Sequence, residues 1–229
     1  MKMRKITIIP ARSGSKGLPN KNILTLSEIP MFVWSILHAK YYSESDDKII
    51  VSSDSEKYLK IAESYGAEAH ARSPELAIDS AKTEPVMDEV ISKLDLNDDD
   101  LLILLQPTSP IRKKETLNSL LEAFSNKECD SALTLSSFHG FLWENKDNFK
   151  KPLYSERPRR QDMEPRFQET GSVYITRYKN YKKTLNRVSG NIIGIEVGFE
   201  ESLEVDTLEE FQVIEAYFEL HKNNLSEYL

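Results

Sequence analysis

A chain of 229 residues, 39% hydrophobic and 29% charged, has the make-up of a single globular domain and lies well outside the disordered and membrane-spanning classes. Its net charge of −7 excludes a general binder of nucleic-acid polymers, and its single cysteine, Cys129, excludes an internal disulfide or a cysteine-built zinc cluster. No apolar run approaches the roughly 20 residues of a membrane span, and the first apolar patch is too short for a signal-peptide core, so a cytoplasmic protein is expected.

Ile6–Ile9 is a run of β-prone residues, and Pro10, Gly14, Gly17 and Pro19 forbid regular structure just beyond it. The loop that must follow carries Arg12, Ser13, Ser15, Lys16 and Lys21, which with the backbone N–H groups of two glycines suit a phosphate cradle. The same composition suits an ordinary surface turn, and the spacing does not match the GxxxxGK[ST] loop. Pro30–Ala39 reads as an amphipathic helix with Phe32, Val33, Ile36 and Leu37 on its apolar face. Lys48–Ser52 is a second strand. Ser53, Asp54 and Ser55 offer N-caps for a helix over Glu56–Tyr65, which Gly66 ends.

Ala67–Ala71 is a weak third strand, Pro74–Ser80 a loop, and Thr83 starts a helix through Leu94. Leu101–Leu105, five apolar residues bounded by turn signals, reads as a strand buried on both faces at the centre of a parallel sheet. Lys114–Ser125 is a helix and Ser131–Ser136 a strand. From Phe138 to Arg166 the rhythm breaks into aromatic, basic and proline residues, as an insertion, a lid or a long irregular loop would. Ser172–Thr176 and Asn191–Val197 resume the sheet, and Leu208–His221 closes the chain as a helix. The alternation predicts an α/β fold built on a parallel sheet, in one domain over residues 1–229.

The residues that carry chemistry stand at the strand ends. In open α/β sheets ligands gather outside the carboxyl ends of the strands, where Arg12 and Gln106 both fall. Gln106 can donate and accept at once, as base or ribose recognition requires, and it equally suits a structural bond to loop backbone. The cations form two groups, one from Lys2 to Lys21 and one from Lys150 to Arg166, so an acidic body carries two basic patches suited to small polyanions. Arg157–Asp162 reads RPRRQD, with forked donors for a carboxylate or phosphate in Arg157, Arg159 and Arg160. Glu204 and Asp206, two apart in an extended segment, can present both carboxylates to one Mg²⁺. Thr207 and Glu210 make a capping box that starts the last helix and leaves Asp206 free. The histidines His38, His70, His139 and His221 stand at no ligand spacing.

Ala11, Arg12, Ser15, Lys16, Gly17, Pro19, Lys21 and Asn22 stand in the pattern ARxxSKGxPxKN, and Leu104–Arg112 reads LLQPTSPIR. With RPRRQD and GSVY at Gly171–Tyr174, the chain resembles the acylneuraminate cytidylyltransferases, which make CMP-sialic acid and related CMP-activated sugar acids. The resemblance runs from Ile6 to about Glu210. It implies a doubly wound, mostly parallel α/β sheet of the nucleotidyltransferase (nucleotide-diphospho-sugar transferase-like) fold, a homodimer with residues 138–166 as the exchange or lid segment, and conversion of CTP and a nonulosonic acid to CMP-sugar and pyrophosphate.

By the same resemblance, Arg12, Lys16 and Lys21 hold the triphosphate, and Ser15 belongs to that loop. Asn22, Arg72, Ala81, Thr83 and Gln106 seat the cytidine, Ala81 by its backbone alone. Arg159 contacts the sugar acid or the phosphate under attack, Tyr174 lines the sugar pocket, and Asp206 with Glu204 holds Mg²⁺. The family pattern at the last site is DxD, where this chain has Glu204–Val205–Asp206. Legionaminic, pseudaminic or 3-deoxy-manno-octulosonic acid is the alternative substrate. A non-catalytic nucleotide-binding module is the alternative of another class.

Overall fold

A computed structural model of the chain describes residues 3–14, 17–125, 128–222 and Tyr228. Ser15 and Lys16 lie outside the described residues.

Seven strands form the central sheet: β1 (Lys5–Pro10), β4 (Lys48–Ser53), β5 (Glu68–Ala71), β6 (Leu101–Leu105), β7 (Ser131–Phe138), β10 (Arg166–Arg177) and β11 (Ile192–Val197). Two short antiparallel pairs stand apart from it, β2 (Thr25–Leu26) with β3 (Ile29–Pro30) and β8 (Trp143–Lys146) with β9 (Phe149–Pro152). The helices are α1 (Met31–Tyr42), α2 (Glu56–Ser64), α3 (Thr83–Ile91), α4 (Lys114–Glu122), α5 (Tyr178–Thr184) and α6 (Leu208–Leu220). The strand order is β11-β7-β10-β6-β1-β4-β5, and only β10 runs against its neighbours.

The five apolar residues of β6 explain the layering. Leu101, Ile103 and Leu105 pack into a cluster with α1, α4 and α6, while Leu102 and Leu104 pack into a second with Met87 of α3 and Tyr181 of α5. Side chains alternate across a strand, so a continuous apolar run requires cover on both faces. β1 divides in the same way, Ile9 to the first cluster and Ile6 and Ile8 to the second. The expected mostly parallel, doubly covered sheet is present.

Two local expectations change, and two elements appear that were not expected. The helix begun by Pro30 is buried on every side from Met31 to Ala39 and has no polar face over that span. Its outer side is covered by the β2–β3 hairpin and α6: the Trp34 indole donates to the Leu26 carbonyl at 3.1 Å and meets Phe218 edge-on. That hairpin turns at Ser27 and Glu28, both with positive φ, without the Asn-Gly pair that announces such a turn. Ser55 takes the N-cap position of α2 without a side-chain cap bond, and Asp54 is engaged with Ser13 instead. Residues 178–184 form α5, too short to show a helical period in sequence.

The break after Phe138 is an ordered arm. β7 and the first half of β10 continue as a pair, Arg166 opposite Phe138 through Glu169 opposite Leu135. The register then shifts between Glu169 and Tyr174, where Gly171 has a φ of +73°. This bulge joins the arm to the sheet body, and the β8–β9 ribbon lies within the connection between β7 and β10.

Candidate active site

The loop after β1 is fixed from three sides. Asp54, just beyond β4, accepts from the Ser13 backbone N–H at 2.8 Å and the Ser13 hydroxyl at 2.7 Å. Burial alone would raise this carboxyl, but the two Ser13 bonds overcome it and hold Asp54 below its ordinary value. The Asn22 amide donates to the Arg12 carbonyl at 2.9 Å. Gly17 approaches the backbone of the last connection so closely that a Cβ there would lie 2.6 Å from the Asp206 carbonyl oxygen. The glycine is therefore required by contact with residue 206, a reason invisible in its local sequence.

The loop borders a cleft of about 230 Å³ at the carboxyl ends of β1 and β6. Arg12, Lys21, Asn22, Arg72, Ala81, Thr83, Gln106, Glu204 and Asp206 all line it. Arg12 and Asp206, 194 positions apart in the chain, thus meet at one hollow. Arg72 is almost fully buried and fixed, donating from Nε to the Ser52 hydroxyl at 3.2 Å and from Nη2 to the Ser52 carbonyl at 2.8 Å. Burial lowers its pKa from the usual arginine value, with Asp54 and Glu89 pulling the other way.

Two cations of the cleft are held by carboxylates. Arg12 Nη1 lies 2.6 Å from Asp79, and Lys21 Nζ donates to Asp206 at 2.7 Å and to the Val205 carbonyl at 3.0 Å. Glu204 accepts from the Thr108 hydroxyl at 2.9 Å. Loss of water around Glu204 raises its carboxyl above the ordinary value; the Thr108 bond opposes this and the nearby Asp206 charge adds to it. Two hard oxygen donors that repel one another beside a cationic cleft fit a divalent cation of the Mg²⁺ type. Asn22 adds a buried Oδ1 with no described partner on the cleft wall, an acceptor that a ligand donor can satisfy.

The capping box is formed as expected: Glu210 Oε2 accepts from Thr207 N at 2.8 Å, and the Thr207 hydroxyl accepts from Glu210 N at 3.3 Å. Glu210 also accepts from the Asp206 N–H at 2.7 Å, so the helix cap fixes the backbone of the carboxylate pair.

Two expected residues are not on this cleft wall. Arg159 projects from the arm, its side chain 73% exposed, and forks onto Asp162 at 2.6 Å and 3.2 Å. Tyr174 points into the core against Ile6, Ile8, Leu102 and Leu104, because its place on β10 directs it to the α3 side of the sheet. Its hydroxyl donates to Glu169 at 2.9 Å while the Arg187 guanidinium lies over its ring at 4.5 Å. Burial, reinforced by Glu169, pushes that hydroxyl up to about 12.

Sequence reading missed Lys82, Thr108 and Asp79. Lys82 and Thr108 line the cleft; Lys82 lies between Ala81 and Thr83, and Thr108 lies within the Leu104–Arg112 run, the one signal available. Asp79 reveals itself only through its pairing with Arg12.

A family model described as cytidylyltransferase matches residues 6–226. The N-acylneuraminate cytidylyltransferase of Streptococcus agalactiae serotype V is 33% identical over 216 residues, covering 91% of this chain and 52% of that protein. The enzyme of the same name from Escherichia coli O18:K1:H7 is 32% identical over 221 residues, 93% of this chain and 52% of that one. A Helicobacter pylori protein named pseudaminic acid cytidylyltransferase and UDP-2,4-diacetamido-2,4,6-trideoxy-beta-L-altropyranose hydrolase is 30% identical, covering 93% of this chain and 42% of that protein. The chain spans about half the length of these curated relatives. Among solved structures, CMP:2-keto-3-deoxy-manno-octonic acid synthetase complexed with CTP superposes with a TM-score of 0.68 at 18% identity, covering 95% of this chain and 99% of that one. A 4-diphosphocytidyl-2C-methyl-D-erythritol synthase gives the same TM-score at 9% identity, covering 94% and 99%.

Proposed function

Because the chain belongs to the cytidylyltransferase family, we propose that its cleft couples CTP to N-acylneuraminate, or a closely related nonulosonic acid, giving the CMP-sugar and pyrophosphate. The observation that carries this reading is the convergence of Arg12, Lys21, Asn22, Arg72, Thr83 and Gln106 with the Glu204–Asp206 pair on one cleft.

In this reading Arg12 and Lys21 exchange Asp79 and Asp206 for the triphosphate, and Lys16 joins them. Gln106, Arg72, Thr83 and the Ala81 backbone seat the nucleoside, while Asn22 Oδ1 takes a donor from it. The anomeric hydroxyl of the sugar acid attacks the α-phosphorus as its proton passes to water, the bond from that phosphorus to the bridging oxygen breaks, and the pyrophosphate that departs is neutralised by Arg12 and Lys21. The protein aligns the reactants and compensates charge, with no covalent intermediate. Glu204 and Asp206 would hold Mg²⁺, which when bound offsets negative charge on the phosphates.

The arm supplies the remaining part. Trp143, Phe149, Leu153 and Phe167 are exposed on it, an apolar surface suited to a second copy of the chain. As a homodimer exchanging these arms, two copies would each offer Arg159 to the other's sugar acid. The CTP requirement suits a cytoplasmic enzyme.

Pyrophosphate release measured with CTP and a panel of sugar acids tests this function. Turnover of N-acetylneuraminate that requires Mg²⁺ and is lost in Asp206→Ala is expected. Turnover of pseudaminic acid alone would establish the second reading, which the Helicobacter pylori relative favours. CTP binding with no turnover of any acid would leave a nucleotide-binding module.

A further inference from the structure

Arg112 ends the LLQPTSPIR run but reaches no ligand-facing surface. Its side chain is buried, with the residue only 3% exposed, and among the described residues no carboxylate pairs with it. A guanidinium without a counter-ion in a protein core is costly unless its donors are spent on something the fold needs. Here Nη1 and Nη2 are spent on two backbone carbonyls and a hydroxyl, while Nε has no partner among the described residues. Nη2 donates to the Gln106 carbonyl at 2.6 Å and to the Ser172 carbonyl at 3.2 Å, and Nη1 donates to the Ser35 hydroxyl of α1 at 3.2 Å.

The Ser172 carbonyl also accepts from Gln106 N at 3.1 Å, so Arg112 and Gln106 share one acceptor across the β6–β10 pair. Burial, followed by the Arg112 charge, holds His38 well below its ordinary value. His38 is therefore neutral at pH 7, with Nδ1 facing Arg112 Nη1 at 3.5 Å. The carbonyl of Arg112 accepts from the Tyr228 hydroxyl at 2.9 Å.

The turn that begins at Gln106 also carries the carboxylate connection, since Val205 N donates to the Thr108 carbonyl at 2.8 Å and the Thr108 hydroxyl donates to Glu204. One buried side chain thus anchors the residue at which β6 ends and through which two walls of the cleft are joined.

We propose that Arg112 is a positioning residue for cytidylyl transfer: it clamps the Gln106 peptide between β6, β10 and α1, and so aims the Gln106 amide at the substrate in the cleft. This rests on the reading of the cleft given above. A point-charge ammonium at residue 112 cannot span both carbonyls and the Ser35 hydroxyl in the way a planar fork does. The charge alone is then insufficient.

The test is a double-mutant cycle on the full chain. Gln106→Ala, Arg112→Lys, Arg112→Met and the two double variants are assayed for KM toward CTP and toward the sugar acid, for kcat, and for folded fraction by circular dichroism. Gln106→Ala is expected to raise KM for the substrate it touches roughly tenfold, the scale of one lost hydrogen bond to a ligand. Both Arg112 variants should raise the same KM, Met more than Lys, with kcat per folded molecule within about twofold, and each double variant should be no worse than its worse parent.

Independent, multiplicative effects of the two positions overturn the inference, as does a loss that tracks folded fraction with KM unchanged. Should Arg112→Met fail to fold, the Arg112→Lys cycle alone decides by the same criteria. Wild-type chain that releases no pyrophosphate from CTP defeats the function reading, whereas a multiplicative cycle in an active enzyme defeats only the role of Arg112.

Discussion

At the scale of single residues, the cleft carries its own substitutes for a polyanion. Arg12 is paired with Asp79 and Lys21 with Asp206, so a triphosphate bound by these two cations in the proposed way would displace a carboxylate from each. These partly exposed pairs are each worth about 0.2–1 kcal/mol. Asp79→Asn should therefore tighten CTP binding by a factor of about two to five, measured by calorimetry without sugar acid. Unchanged or weaker affinity would show that Asp79 does not compete with the nucleotide.

Glu204 gives a prediction of opposite character. Its carboxyl is raised in the folded chain, so its ionisation costs stability: the cost is absent below the unfolded-state value and complete above the folded one. Glu204→Gln should thus raise the Tm of the metal-free protein at pH 7, with the gain vanishing as the pH falls toward 4, while Mg²⁺-dependent turnover drops by at least tenfold. A Tm difference independent of pH would contradict the assignment.

At the scale of elements, the start of α6 links stability to the site. Thr207 caps the helix, and Glu210 binds the backbone N–H of both Thr207 and Asp206. Thr207→Ala should cost about 1 kcal/mol in denaturant unfolding, an ordinary N-cap loss. Glu210→Ala should in addition raise the Mg²⁺ concentration needed for half-maximal activity, because it frees the Asp206 peptide. Equal metal dependence in the two variants would confine the capping box to stability.

Elements also divide what sequence reading reached from what it missed. The β1, β4, β6 and α6 segments announce themselves through apolar runs and a capping pattern, which are local properties. The β2–β3 hairpin and α5 are two and seven residues per element, and they exist because α1 and the sheet give them something to cover. The complete burial of α1 follows from the same tertiary cause, since its sequence alone reads as one-sided.

At the scale of the whole molecule, the arm is what the sheet does not account for. Phe149 is 77% exposed and Trp143 53%, on a ribbon whose own two strands leave every residue but Pro152 open to solvent. If the proposed homodimer forms, Phe149→Glu and Trp143→Glu together should convert it to monomers in sedimentation analysis and reduce turnover while leaving CTP affinity within about twofold, because the residues proposed for the nucleotide all line the cleft of a single chain. A wild-type chain that sediments as a monomer would remove this role for the arm and return Arg159 to the surface salt bridge it makes with Asp162.

The amino-acid sequence by itself determined the α/β class, the central β6 and Arg12, Lys21, Gln106, Glu204 and Asp206 as candidate residues, because strand periodicity, glycine and proline placement and charge spacing are written locally; resemblance to a known family added Asn22, Arg72, Ala81 and Thr83, and all nine line the cleft. Tertiary structure alone decided that Gly17 must be a glycine, that Tyr174 belongs to the core, that Asp79 meets Arg12 and that Arg112 spends an unpaired charge on backbone. Each of these depends on what arrives from a distant part of the chain, and burial and close approach between remote segments leave no mark on the residues nearby.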